Sequence, residues 1–318
     1  MNRSSRVLFL AAILLFIVPG TAALAQRAGQ GFPERPLRYI VPFPPGGSTD
    51  IVARIVAAGL SESLGQSVVI DNRGGAGSTV VAEIASHAAP DGYTIFACNV
   101  ASQAVAPALY RKLGYDPVAS FAPIGLIGST AGAIVVHPAV AAKTLEQFIA
   151  LAKASPGKVK YASPGVGSSP QLMMEMFRAA VAIDLLHVPY KGAGPALADL
   201  MGGHVEAMVS TVPSFIAAYR GGKIRMLAVS STTRHPDLPE VPTIAESGVP
   251  GFEVISWQGL CTPAGVAAAR LERIHDALVK VLAQAEIQKQ LAAQGMQPMQ
   301  LSGDKFAKAV RDAGIKQQ

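Results

Sequence analysis

The sequence predicts an α/β protein built as two lobes around one cleft. Apolar strand-like runs alternate with helix-period segments along most of the chain, the pattern of βαβ crossovers and parallel strand pairing. One strand–glycine loop–helix design, first met at Tyr39 to Leu64, recurs at Val159 to Ala180, so each lobe receives a copy. Half of the residues are hydrophobic and only 15% are charged, which supplies core for two domains of ordinary size.

Residues 1–25 read as an export signal. Arg3 and Arg6 charge its start, Val7 to Val18 form the apolar region, and Ala23-Leu24-Ala25 is a small-x-small cleavage site. The apolar region is short for a membrane span of ~20 residues. The expected product begins at Gln26, is periplasmic and lacks a lipid anchor, since no cysteine follows the cleavage site. The formal charge of +6 includes both leader arginines, and the remainder forms no Lys/Arg run, which disfavours nucleic acid as a partner.

The first unit opens with Tyr39 to Val41 as a strand. Phe43-Pro-Pro-Gly-Gly47 is a stiff, then permissive loop, and Ser48, Thr49 and Asp50 are each competent helix caps. Ile51, Val52, Ile55, Val56, Leu60 and Leu64 follow at helical spacing, with Gly65 as a stop. Strand, loop and helix start place backbone N–H groups beside the positive end of a helix dipole, an arrangement suited to a carboxylate or phosphate. A second unit runs from Val68-Val69-Ile70 through the glycine-rich loop at 73–77 to a helix ending near Ala88. Tyr93 to Cys98 is a third strand, and 101–113 a helix bent at Pro107.

Ile124 to Ile127 and Ala133 to Val136 read as two separate strands. A helix capped by Thr144 runs to Ala154. The opening design then returns as strand Val159 to Tyr161, loop Ser163 to Ser169 and a helix to Ala180. Val188 to Gly192 enters a further loop, with Pro195 at the first position of a helix ending at Gly202. Strands at 205–209 and 224–229 flank a helix at 213–219. A Pro-rich connection leads to a strand at 257–261 and helices at 267–283, 286–294 and 302–312.

Enzyme patterns are missing. No Gly-x-Ser-x-Gly elbow is present, and neither the 44–50 nor the 73–78 loop ends in Gly-Lys-Ser/Thr or completes Gly-x-Gly-x-x-Gly. The six histidines are scattered, so no metal or cofactor is expected. His187 reads as packing before a strand, and the methionines around Met173 as core. Cys98 and Cys261 sit in apolar strand-like stretches, where a buried thiol is the commoner state. They are expected to remain unpaired.

Taken together, several motifs resemble one family. Tyr39-Ile-Val-Pro-Phe-Pro-Pro-Gly-Gly-Ser-Thr-Asp-Ile-Val-Ala-Arg54 is similar to the signature of the periplasmic receptors of tripartite tricarboxylate transporters, the Bug family. Asp71-Asn-Arg-Gly-Gly-Ala-Gly77, Ala89-Pro-Asp-Gly-Tyr-Thr94, Val188-Pro-Tyr-Lys-Gly192, Leu238-Pro-Glu-Val-Pro-Thr243 and Trp257-x-Gly-Leu260 extend the resemblance over residues 35 to about 312. It implies a two-lobed periplasmic-binding-protein (Venus flytrap, type II-like) fold with a parallel-rich sheet in each lobe. It also implies a small-carboxylate ligand and delivery to a membrane permease, by a monomeric receptor that is not an enzyme. Ligand contacts are expected from Phe43, Pro45, Gly46, Gly47, Ser48 and Asp50 in one loop. Gly165, Gly167, Ser168, Ser169 and Gln171 supply the other, and Tyr190, Lys191, Ser210 and Thr211 the facing wall.

Three departures from the pattern stand out. Pro170-Gln171-Leu172 replaces a common Ser-His-Leu, Val166 stands where a small polar residue is common, and the C-terminal segment lacks the usual acidic, Trp-containing helix. The expected lobes are 27–128 with 230–318, and 129–229. Two alternatives stay open: an exported hydrolase using Ser168 or Ser48, and a sensory subunit docking on a signalling partner.

Overall fold

The computed structural model describes residues 31–74 and 78–302. The export signal at 1–25, the end of the 73–77 loop and the helix expected at 302–312 lie outside the described residues, except for their border positions. The chain opens with β1 (Leu37–Val41), α1 (Ser48–Leu64), β2 (Val68–Asn72), α2 (Thr79–Ser86) and β3 (Thr94–Asn99). A π-helical turn, Ala101–Val105, leads into α3 (Ala106–Leu109) and the long β4 (Phe121–Val136). Next come α4 (Leu145–Ala154), β5 (Lys160–Ser163), α5 (Ser169–Val181), β6 (Leu186–Pro189), α6 (Ala193–Met201) and β7 (Ala207–Thr211). A 3-10 turn (Val212–Ser214), α7 (Ile216–Arg220) and β8 (Arg225–Val229) follow. The chain closes with β9 (Ile255–Pro263), α8 (Ala268–Ala283), α9 (Ala285–Ala293) and β10 (Gln297–Ser302).

The strands run in the order β2-β1-β3-β9-β4-β7-β5-β6, with β8 and β10 also paired to β4. β1 is parallel to β2 and β3, and β5 is parallel to β6 and β7. These are the pairings that strand–helix alternation requires. The antiparallel pairs come from β4 and the strands that return to it: β7, β8, β9 and β10. β3 and β9 are antiparallel as well. Each half of the sheet is therefore mixed.

The two strands expected between Ile124 and Val136 are one. β4 pairs with β9 as far as Ala131 and with β7 from Gly132 onward, passing from one half of the sheet to the other. The small residues between the two apolar runs serve close packing, not a turn. A methyl group on Gly128 would lie 2.6 Å from the Gln297 carbonyl of β10.

The apolar residues of α1 pack Val52, Val56 and Leu60 with Tyr39, Ile95, Leu278 and Val281, all buried. α1 approaches α8 so closely that a methyl on Gly59 would meet Val281 at 2.6 Å. In the other half, Met173, Met174 and Phe177 of α5 pack with Phe148, Tyr161 and Ile134. The methionines at 173 and 174 are core, as their spacing implied, whereas Met176 is exposed.

Cys98 and Cys261 form a disulfide, which corrects the expectation of unpaired thiols. β3 and β9 are antiparallel neighbours, with Cys261 opposite Phe96 and Cys98 opposite Gly259. This diagonal leaves the Cα atoms 6.1 Å apart, within bridging range. Among the described residues no helix is long and apolar enough to cross a membrane.

Candidate functional site

A cavity of about 60 Å³ lies where the two halves of the sheet meet. Four segments that each follow a strand supply most of its lining: Phe43, Gly47, Ser48 and Thr49 after β1; Val100 and Ala101 after β3; Pro164, Ser168, Ser169 and Pro170 after β5; and Ser214 after β7. Strand ends and the start of α6 complete it, with Asn99 from β3, Ala193 from α6, Ser210 and Thr211 from β7, and Ser256, Trp257 and Gln258 from β9. In open α/β sheets, ligands bind beyond the carboxyl ends of the strands.

The two recurring units share one construction at their helix starts. In the first, the N-cap is Gly47, not one of the three side chains expected to cap, so Asp50 sits at the third helical position. Its buried carboxylate reaches back to accept the Gly46 N–H at 2.9 Å. It is held by Arg54 Nε at 3.0 Å and by Asn72 Nδ2 at 2.9 Å, and Asn72 also donates to the Phe43 carbonyl. In the second, Ser168 is the N-cap, and its Oγ accepts the Gln171 N–H. Gln171, again at the third position, reaches back through Oε1 to the Gly167 N–H at 3.3 Å. Asp50 and Gln171 are therefore the braces of their loops, and neither lines the cavity.

Burial alone would raise the Asp50 carboxyl. Hydrogen bonds from Arg54, the Gly46 N–H and Asn72, with the charge of Arg54, outweigh that and hold it below the usual carboxylate range. Braced in this way, the loops leave first-turn amides for a ligand. In α1 the Ile51 N–H already bonds Gly47 O, so the N–H groups of Ser48, Thr49 and Asp50 precede the helical ladder. In α5, Leu172 bonds Ser168 O and Pro170 has no N–H, which leaves that of Ser169.

Among the described residues no ionisable side chain lines the cavity. Its polar lining is Ser, Thr, Asn and Gln, nearly all buried. Several of these side chains orient one another. Gln258 Nε2 donates to Ser48 Oγ at 3.1 Å, Ser169 and Ser256 share a 2.7 Å hydrogen bond, and Ser210 Oγ donates to Ser214 Oγ at 3.1 Å. Phe43, Val100, Ala101, Ala193 and Trp257 give the cavity apolar surface.

Of the residues expected to bind ligand, the structure brings Phe43, Gly47, Ser48, Ser168, Ser169, Ser210 and Thr211 to the cavity. Pro45 and Gly46 form the exposed outer turn of the first loop. Gly165 and Gly167 shape the second loop from behind: Gly165 takes φ +132° with the Tyr190 carbonyl against it, and Gly167 takes φ +79°. Tyr190 and Lys191 are not among the lining residues: Tyr190 donates its hydroxyl to Asp199 at 2.6 Å, and Lys191 is exposed. Thr49, Asn99, Ser256, Trp257 and Gln258 were not anticipated. For Asn99, Ser256 and Gln258 the signal in the sequence is a polar residue inside an otherwise apolar strand, which must find a partner once buried; Thr49 lies in the first turn of α1.

The two halves touch at the mouth of the cavity. Gly192 takes φ +151°, and a methyl placed on it would lie 2.6 Å from Pro44 Cδ; one on Gly194 would lie 3.0 Å from the Pro45 carbonyl. Opposite, Gly167 faces Leu109 and Tyr110.

The model for the tripartite tricarboxylate transporter family receptor matches residues 52–318. A protein encoded in the tcbD-tcbE intergenic region of Pseudomonas sp. strain P51 is 38% identical over 273 residues, 86% of this chain and 81% of its own length. Protein BugT of Bordetella pertussis is 34% identical, covering 96% of this chain and 98% of its own. Among solved structures, Rpa4515 of R. palustris with adipate superposes with a TM-score of 0.87 at 32% identity, covering 90% of this chain and 95% of that one. The periplasmic binding protein BugD gives 0.87 at 33%, covering 90% and 96%. MatC of Rhodopseudomonas palustris, with bound malate, gives 0.85 at 30%, covering 90% and 98%.

Proposed function

The chain belongs to the tripartite tricarboxylate transporter receptor family, with its two-lobed periplasmic-binding-protein fold, and on that premise we propose that it captures a small carboxylate between its lobes. The lobes are 27–128 with 230–318, and 129–229, hinged where β4 passes between sheet halves. After cleavage behind Ala25 the receptor acts in the periplasm and hands its ligand to a membrane permease. It is a binding protein and performs no chemistry on the ligand.

One observation carries the reading. α1 and α5, from opposite halves of the sheet, start at the same cavity with unspent first-turn amides, and among the described residues no charged side chain lines it. Each helix start contributes roughly half a positive charge, so the pair together offsets about one carboxylate. Closing the lobes removes water and strengthens those contacts. The cavity, of about 60 Å³, suits a small acid. The adipate and malate in the related structures are acids of this kind. A receptor that must release its cargo calls for micromolar affinity, about −8 kcal/mol.

The serines proposed for a hydrolase are otherwise engaged. Ser168 Oγ donates to the Gly165 carbonyl at 2.7 Å, and Ser48 Oγ accepts from Gln258. A thermal-shift screen of the purified protein against mono-, di- and tricarboxylates and their amides tests the proposal. At 100 times its dissociation constant a true ligand adds ~2.7 kcal/mol of stability. The expected result is a rise with one class of acid and none with its amide. Stabilisation by neutral sugars alone, or ester turnover lost on Ser168→Ala, would overturn it.

A further inference from the structure

His187, which the sequence assigned to packing, is wired to the second loop. It lies on β6, the edge strand of its half, with its ring stacked on Tyr161 of β5 at 4.7 Å between centroids. Its Nε2 is 2.7 Å from Ser163 Oγ, and Ser163 is fully buried. The same Oγ accepts the Gly165 N–H at 3.1 Å. The Gly165 carbonyl in turn accepts both the Ser168 N–H and the Ser168 hydroxyl. A continuous run of hydrogen bonds thus connects a half-buried imidazole to a residue lining the cavity.

Counting donors favours one set of proton positions. With the Ser163 oxygen accepting from Gly165, its own hydrogen has His187 Nε2 as partner, provided the imidazole is neutral with its proton on Nδ1. An imidazolium would donate from Nε2 instead. Ser163 would then accept twice, and its hydroxyl hydrogen would have to turn away in a fully buried site, where an unmade hydrogen bond is costly.

We propose that His187 is a positioning residue for the second binding loop: through Ser163 its neutral ring holds the Gly165 amide and with it the Ser168 cap, and protonation loosens that hold. The assignment of the loop to ligand binding rests on the function proposed above; the hydrogen-bond path does not. The charged and titratable groups facing the ring are Glu175 and Arg178 of α5, which pair with each other, and Tyr161, whose hydroxyl donates to Glu175. Burial pushes the imidazole below its ordinary value; Glu175 opposes this and Arg178 adds to it. At neutral pH the loop is held, and it is released as the surroundings acidify.

The test is a pH titration by NMR of the purified protein without ligand, from about pH 8 to about pH 5, following the His187 ring and the Gly165 and Ser168 amides. Both amides should shift with the His187 midpoint, and that midpoint should fall below an unperturbed histidine's. In His187→Gln the amides should stop titrating. In Ser163→Ala the ring should still titrate while Gly165 no longer follows. Amides that stay still while His187 titrates in the wild type would overturn the proposal, as would a proton on Nε2 at high pH. That titration decides the matter even if neither variant folds. Because no ligand is added, failure of every acid in the screen would leave this result standing.

Discussion

At the scale of single residues, the informative mismatch concerns Asp50 and Gln171. The family resemblance implied ligand contacts for both, yet both reach back to the amide before their helix cap. A sequence shows that a polar side chain stands at a helix start but not whether it turns outward or back. Asp50→Ala would remove the carboxylate that the Gly46 N–H, Asn72 and Arg54 all bond and should cost ~1–3 kcal/mol in urea unfolding. Its pH dependence has a definite sign. Asp50 and Asp71 are both held below the usual carboxylate range: burial works against this, and Arg54 for the one, Arg38 and Arg73 for the other, outweigh it. Their contribution is therefore present above the unfolded carboxylate pKa and is lost as pH falls through the folded values. Unfolding followed from about pH 6 to about pH 3 should show that loss, and Asp50→Asn should flatten part of it.

Among elements, the helices and parallel strands were legible because apolar periodicity and loop chemistry agree. Thr144, for instance, caps α4 through the Gln147 N–H as its residue type predicts. What periodicity could not give was β4 as one strand or the pairing of Cys98 with Cys261. The first depends on β9 and β10 and the second on β9, strands that arrive much later in the chain. Replacing both cysteines by alanine should lower unfolding stability by ~2–4 kcal/mol. Equal denaturation midpoints for the two proteins would show that the bridge contributes nothing. At the clasp, Gly192→Ala would drive a methyl into Pro44. Ligand affinity should drop at least ~10-fold, about 1.4 kcal/mol, in calorimetric titration with an acid that stabilises the wild type. Unchanged affinity would mean that the Pro44–Gly192 contact is no part of the bound state.

For the whole molecule, the two-lobed fold and the meeting of two glycine loops at one cavity could be read from the repeated unit. The β3 and β9 wall could not, because Asn99, Ser256 and Gln258 become neighbours of the loops only through the antiparallel β3–β9–β4 pairing. The central claim is that one carboxylate sits on two helix starts from opposite lobes. NMR of the backbone amides on addition of a stabilising acid tests it most directly. The Ser48, Thr49 and Ser169 amides should all shift together, at one dissociation constant, and the acid's amide should leave them unmoved. Shifts confined to one loop, or lying outside the cavity while both loops stay still, would contradict the account.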